Sequence, residues 1–136
     1  MGNNAMNERL LELIRQEPTD EIWQEAIRVS DWVYAGQPLK EVFELTLRAL
    51  DIAKHDDTID ALSTCLIEHL LEKDFSLFDR IEQRINEGDD KLLYALSLCR
   101  KYGLSKVDQN SRRWDLLIQR NRKRLTRISS PFSEPL

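Results

Sequence analysis

Two stretches of the chain hold residue types that could do chemistry at helical spacing. Arg48 and His55 are separated by six residues. A histidine exchanges protons near neutral pH and an arginine steadies a phosphate, so this pair would suit phosphodiester cleavage. Glu68 and His69 with Glu72 put metal-ligand types one turn apart, but no second histidine-bearing helix motif completes a paired-metal site. His69 therefore reads more simply as a helix-flank residue. Cys65 and Cys99 lie far apart with no CxxC, which excludes a cysteine-built zinc site and leaves both as small hydrophobes in a reducing cytoplasm. There is no Gly-rich phosphate loop, and no Ser or Cys sits in a nucleophile motif. With 13 arginines in 136 residues, one Arg–His spacing of this kind arises readily by chance. These residues predict no enzyme, no metal and no cofactor.

Charge offers a stronger signal. Residues 1–99 hold 10 Lys/Arg against 21 Asp/Glu, a net of −11, while residues 100–127 hold 10 Lys/Arg against two acids, a net of +8. An acidic body with a basic C-terminal part can meet charged partners from either side, or fold the basic part onto itself. On a helix of 100° per residue, Arg112, Arg113, Arg120, Lys123, Arg124 and Arg127 share one sector, a contact surface for anions or acidic partners. No aromatic residue interleaves with them, and a pI of 5.3 is low for a nucleic-acid binder, so nucleic acid is the less favoured partner. Asp56, Asp57 and Asp60, with Glu68 and Glu72, form the acidic counterpart for a basic protein. Trp32 is the aromatic residue to watch as a binding anchor, while Trp23 and Trp114 read as core.

The elements that must position these groups are helices. Four glycines and four prolines in 136 residues leave few breaks, and no segment keeps a strand-like alternation. Pro18 ends a short first helix, and Asp20 caps a second that buries Ile22, Trp23, Ala26, Ile27, Val29 and Val33. Gly36 and Pro38 separate it from a third helix running to about His55. The Asp56–Asp60 cluster starts a fourth, with a carboxylate as its cap, burying Ile59, Leu62, Leu66 and Leu70. Asp74 or Ser76 opens the fifth and Gly88 ends it; Asp89-Asp90 caps the sixth, which Gly103 closes after Tyr102. A seventh, unbroken from about Val107 to Ile128, carries a buried stripe of Val107, Trp114, Leu117, Ile118, Leu125 and Ile128. The expected fold is all-α: one bundle of six to seven antiparallel helices over residues 7–128, stacked as hairpins, with the basic helix at 105–128. Residues 1–6 read as a loose N-terminus or a cloning remnant, and 129–136 as a loose tail. No apolar run reaches the roughly 20 residues that span a bilayer.

Two resemblances add to this. Pro38-Leu39-Lys40-Glu41-Val42-Phe43, Leu66-Ile67-Glu68-His69-Leu70-Leu71, Phe78-Asp79-Arg80-Ile81-Glu82 and Tyr94-Ala95-Leu96 together resemble a small bacterial family of domains of unknown function over about residues 38–102. The chain departs from that pattern at Lys73-Asp74, where the family has a glycine-containing turn, and at Cys99 or Arg100, where it has a tryptophan. The resemblance implies a helical fold and a bacterial origin. The Arg48–His55 spacing resembles the signature of helical ribonucleases of the higher-eukaryote and prokaryote nucleotide-binding class, although Ala49 follows the arginine where that family has a polar residue.

The expectation is a non-enzymatic, cytoplasmic binding protein that covers a basic partner, in its sharpest form an immunity or antitoxin protein against a nuclease-type toxin. A ribonuclease using Arg48 and His55 is the alternative, with nucleic-acid binding by the C-terminal helix behind it. A monomer or a weak homodimer, basic helix on acidic body, is the expected state.

Overall fold

The computed structural model describes residues 2–16 and 19–133, with side chains described for 9–16 and 20–128. Nine α-helices follow one another among these residues: α1 (Gly2–Gln16), α2 (Thr19–Tyr34), α3 (Leu39–Ile52), α4 (Asp56–Leu62), α5 (Glu68–Lys73), α6 (Phe78–Asn86), α7 (Asp90–Leu98), α8 (Asp108–Arg120) and α9 (Arg122–Ser133). No strand occurs among the described residues, so the all-α architecture holds. One apolar core runs through them, from Leu10 and Ile22 to Leu45, Ile59, Leu66, Phe78 and Ile81, all at 2% exposure or less. Burial at this density is the main favourable term for such a fold.

The turns follow local chemistry. Gly36 and Gly88 take positive φ (87° and 107°) after α2 and α6, a conformation that costs other residues. Asp89 caps α7 by accepting from Leu92 N at 3.0 Å, and Asp74 accepts from Ser76 N before the short turn into α6. Lys91 Nζ donates to the carbonyls of Asp51 and Ala53, closing the end of α3.

Several boundaries differ from expectation. Helix α3 stops at Ile52, and Ala53 and His55 have extended backbones. The start of α4 has no side-chain cap: His55 precedes it, and Asp57 is engaged elsewhere, accepting from the indole of Trp23. Between α4 and α5, Ser63–Ile67 form a π-helical turn in which Glu68 N donates to Ser63 O. The Ser63 and Thr64 hydroxyls bond back to the carbonyls of Ile59 and Asp60, competing for acceptors there. The extra residue turns the following helix by about 100°. α7 ends at Leu98, so Tyr102 and Gly103 belong to a connection rather than to its last turn. The unbroken basic helix is in fact α8 and α9, divided at Asn121 (φ −110°, ψ 16°), whose side-chain amide donates to Leu117 O. Helix extends through residues 2–6 in α1 and 129–133 in α9, where loose ends were expected. Pro18, the expected stop of the first helix, lies outside the described residues.

The packing order is simple. α1 packs on α2 and α3, α2 lies along α4, the π turn and α5, and α7 packs against α3, α4 and α9. Trp23 meets Asp57 at one end of the α2–α4 pair, and Tyr34 meets His69 and Glu72 at the other, so α2 runs parallel to α4–α5.

Candidate functional site

Two groups of acids in the body differ in how they are used. One group is used internally: Asp51 and Asp89 hold Arg84 (3.0 and 2.9 Å), Asp79 and Glu82 hold Arg113 (both 2.7 Å), and Asp90 holds Arg124 (2.6 Å). The other group, Asp56, Asp57 and Asp60, lines an open cleft of about 310 Å³ with Tyr94 and Leu98 of α7. Burial and then the Asp57 charge push Asp60 above the usual carboxylate range, and burial raises Asp56 despite the nearby His55. Asp56 Oδ1 is buried with no hydrogen-bond partner among the described residues. Such an oxygen is costly to bury unless a donor reaches it.

Helix α2 supplies the apolar part of the same face. Asp20, Trp23, Ile27, Asp31 and Tyr34 recur three or four apart, so they share one sector of the helix. Ile27 is 52% exposed and Tyr34 51%, and Trp23 is half-buried with its Nε1 donating to Asp57 Oδ2 at 3.0 Å. Ile27 was expected in the core, but it points outward here. Arg28 pairs with Glu25 at 2.6 Å and lies over the Trp32 ring at 5.9 Å. Trp32 itself is half-buried against the core, as Trp23 is.

At the far end of α2, a polar cluster ties three segments together. Tyr34 Oη donates to Glu72 Oε1 at 2.7 Å, and His69 Nδ1 lies 2.7 Å from Tyr34 Oη and 3.0 Å from Glu72 Oε1. The His69 ring stacks on Tyr102, with centroids 5.9 Å apart. Glu68, turned inward by the π turn, is buried and accepts from Arg100 N at 2.8 Å. Its burial corrects the expectation that Glu68 contacts a partner, and Glu72 is likewise occupied within the chain. His69 and Glu72 are bonded to each other, and among the described residues no three His, Cys, Asp or Glu side chains are arranged to hold a metal ion.

Arg48 and His55 are both exposed, on α3 and before α4 respectively. The backbone between them leaves the helix, with Ala53 and His55 extended. The basic sector also divides. Arg113 and Arg124 turn onto the acidic α6 and α7, with Arg113 lying 5.1 Å over the Phe78 ring and Arg124 Nη1 donating to Ile85 O. Arg112, Arg120, Lys123 and Arg127 stay exposed. Val107, expected in the buried stripe, is 49% exposed. Among the described residues, no helix is long and apolar enough to cross a membrane. Compared with known proteins, the chain matches no family model, no curated protein and no solved structure.

Proposed function

We propose that the chain is a non-enzymatic protein-binding module whose α2–α4–α7 face takes a basic partner protein. The observation that carries this reading is the sharing of one face by exposed Ile27 and Tyr34, half-exposed Trp23 and the Asp56–Asp57–Asp60 cleft. Binding interfaces place aromatic and aliphatic anchors beside charge that steers encounter and excludes wrong partners. The buried, partnerless oxygen of Asp56 would accept from a lysine or arginine inserted into the cleft.

The sharpest form is an immunity or antitoxin role in a bacterial cytoplasm. A nuclease toxin binds phosphates and so presents a basic surface, which an acidic, aromatic-studded face would cover sterically. The test is affinity capture from the native cell by the full chain and by the Asp56→Asn/Asp60→Lys variant. Recovery of one basic protein at equal stoichiometry, lost with the variant and regained by neither salt nor concentration, supports the reading. Capture of RNA alone, with cleavage abolished by His55→Ala, would replace it with the ribonuclease alternative.

A further inference from the structure

The basic end of the chain forms a second surface that the acidic face does not use. Arg112, Leu116, Arg120, Lys123 and Arg127 recur at intervals of four, four, three and four along α8 and α9, and every one is exposed. Arg112, Leu116 and Arg120 lie on α8 and Lys123 and Arg127 on α9, whose first turn begins with the bond from Leu125 N to Asn121 O at 2.8 Å. Leu116, 49% exposed, sits among these cations. On the α2–α4 face Ile27, 52% exposed, lies between Asp31 on the next turn and Trp23, bonded to Asp57, on the previous one, with Arg28 beside it held by Glu25.

We propose that the chain associates with itself head to tail, the Arg112–Arg127 stripe of one copy seating on the α2–α4 face of the next. Each patch sets an exposed apolar residue beside charge, cations around Leu116 and the acids Asp31 and Asp57 near Ile27. The chain uses the same pairing chemistry internally, on α6 and α7 rather than on the α2–α4 face. Arg113 and Arg124, on the inner edge of the same two helices, dock on Asp79, Glu82 and Asp90 at 2.6–2.7 Å. A protein surface fits the stripe better than a nucleic acid does. Leu116 gains nothing from a phosphate, and the stripe holds no aromatic ring on which a base could stack.

The two patches differ, so the contact is heterologous. Every added copy leaves one patch of each kind open, and the product is a chain of subunits rather than a closed dimer. Its charges are exposed and so are screened by salt within about 10 Å at 0.1 M. Assembly would also cover the face used in the proposed function, so a basic partner and a second copy would compete. Only that consequence rests on the partner reading; the association itself needs nothing but this chain.

Sedimentation velocity of the purified full chain tests it at low and high salt. The sedimentation coefficient should rise with concentration at low salt and return to the monomer value at about 0.5 M. Ile27→Lys/Asp31→Lys and Arg120→Glu/Lys123→Glu/Arg127→Glu should each be monomeric alone, yet combine at equal amounts into a one-to-one complex and nothing larger. Leu116→Glu, at an exposed site, is an independent second disruption, and circular dichroism checks that each variant keeps its helices. A wild-type chain that stays monomeric at low salt overturns the proposal, as do variants that still self-associate or that fail to pair with each other. Association that appears only when RNA is added assigns the stripe to nucleic acid instead. Failure here leaves the partner capture unaffected, since that experiment reads a different protein.

Discussion

Trp23 Nε1 donates to Asp57 Oδ2 across the α2–α4 contact at 3.0 Å. This bond takes one carboxylate of the cluster expected to cap α4 and uses it to hold an indole half-exposed beside the acidic cleft. Asp57→Ala is therefore expected to cost only about 1 kcal/mol of stability in urea denaturation. Its effect on partner affinity should be larger than that of Asp31→Ala, because it frees the anchor as well as removing a charge. Equal affinity losses for the two variants would reduce Asp57 to one charge among several.

Arg124 and Arg127 stand one turn apart and have opposite fates. Arg124 bonds Asp90, Ile85 O and Asn121, while Arg127 is exposed. Arg124→Ala strands a carbonyl and a partly buried carboxylate, and is expected to lower stability by about 1–3 kcal/mol. Arg127→Ala should stay within about 0.5 kcal/mol. Denaturant midpoints for the pair decide whether α9 is pinned by this one side chain.

The Tyr34 cluster makes the protein sensitive to alkali. Burial, the hydrogen bond to Glu72 and the charges of Glu72 and Glu68 push the Tyr34 phenol up to about 12. A phenol whose folded value exceeds its unfolded one, about 10, keeps its proton longer in the fold. Its stabilisation is complete below about pH 10 and is lost as pH rises through about 12. Tyr34→Phe should flatten that alkaline fall in stability, and phenolate absorbance should lose its latest-titrating component. On the acid side, burial alone would raise Glu72, but the His69 and Tyr34 hydrogen bonds and the His69 and Lys73 charges outweigh it and hold Glu72 low. Its contribution is present above the ordinary carboxylate range and disappears as pH falls through that lowered value.

Glu68 has the opposite sign. Burial raises it, although Arg100 N and the His69 charge act against that. Its ionised form is therefore a cost to the fold at neutral pH, relieved as pH falls through the raised value. Glu68→Gln can still accept from Arg100 N without a buried charge. It is expected to match or exceed wild-type stability at pH 7 and to remove the gain on mild acidification. A clear loss of stability at pH 7 would show that the charge itself is needed.

The legible parts of the chain were those governed by nearest neighbours. Gly36, Gly88 and Asp89 mark their helix ends by backbone conformation and capping, and the 59, 62, 66, 70 spacing marks a buried stripe. That same spacing concealed the π turn, because Ser63 and Thr64 carry no signal distinguishing a back-bonded turn from an ordinary helix. Ile27 fits a helical apolar pattern as well as Val29 does, and only the packing of α2 on α4 decides which one is outside. For the site, Asp56, Asp57 and Asp60 could be read as an acidic group, but their joining to Trp23, Tyr94 and Leu98 depends on three helices meeting. The division of the basic sector into docked and exposed cations depends likewise on where α6 and α7 place their acids.

Gly103 is the sharpest test of how the 99–107 connection is held. Its φ is +49°, and a Cβ there would lie 2.7 Å from Glu72 Cγ and 2.8 Å from Glu72 O. The second contact is to backbone and has no rotamer by which to give way. Gly103→Ala must therefore lift the connection off α5, loosening the Tyr102–His69 stack and the Arg100–Glu68 bond beside it. A loss of about 1–3 kcal/mol is expected, from conformational strain plus the displaced contacts. Gly36→Ala meets no atom within 4 Å at its own positive φ, so it reports the backbone strain by itself. The difference between the two variants in urea measures the close approach of Gly103 to Glu72, and equal losses would mean that the connection moves aside freely.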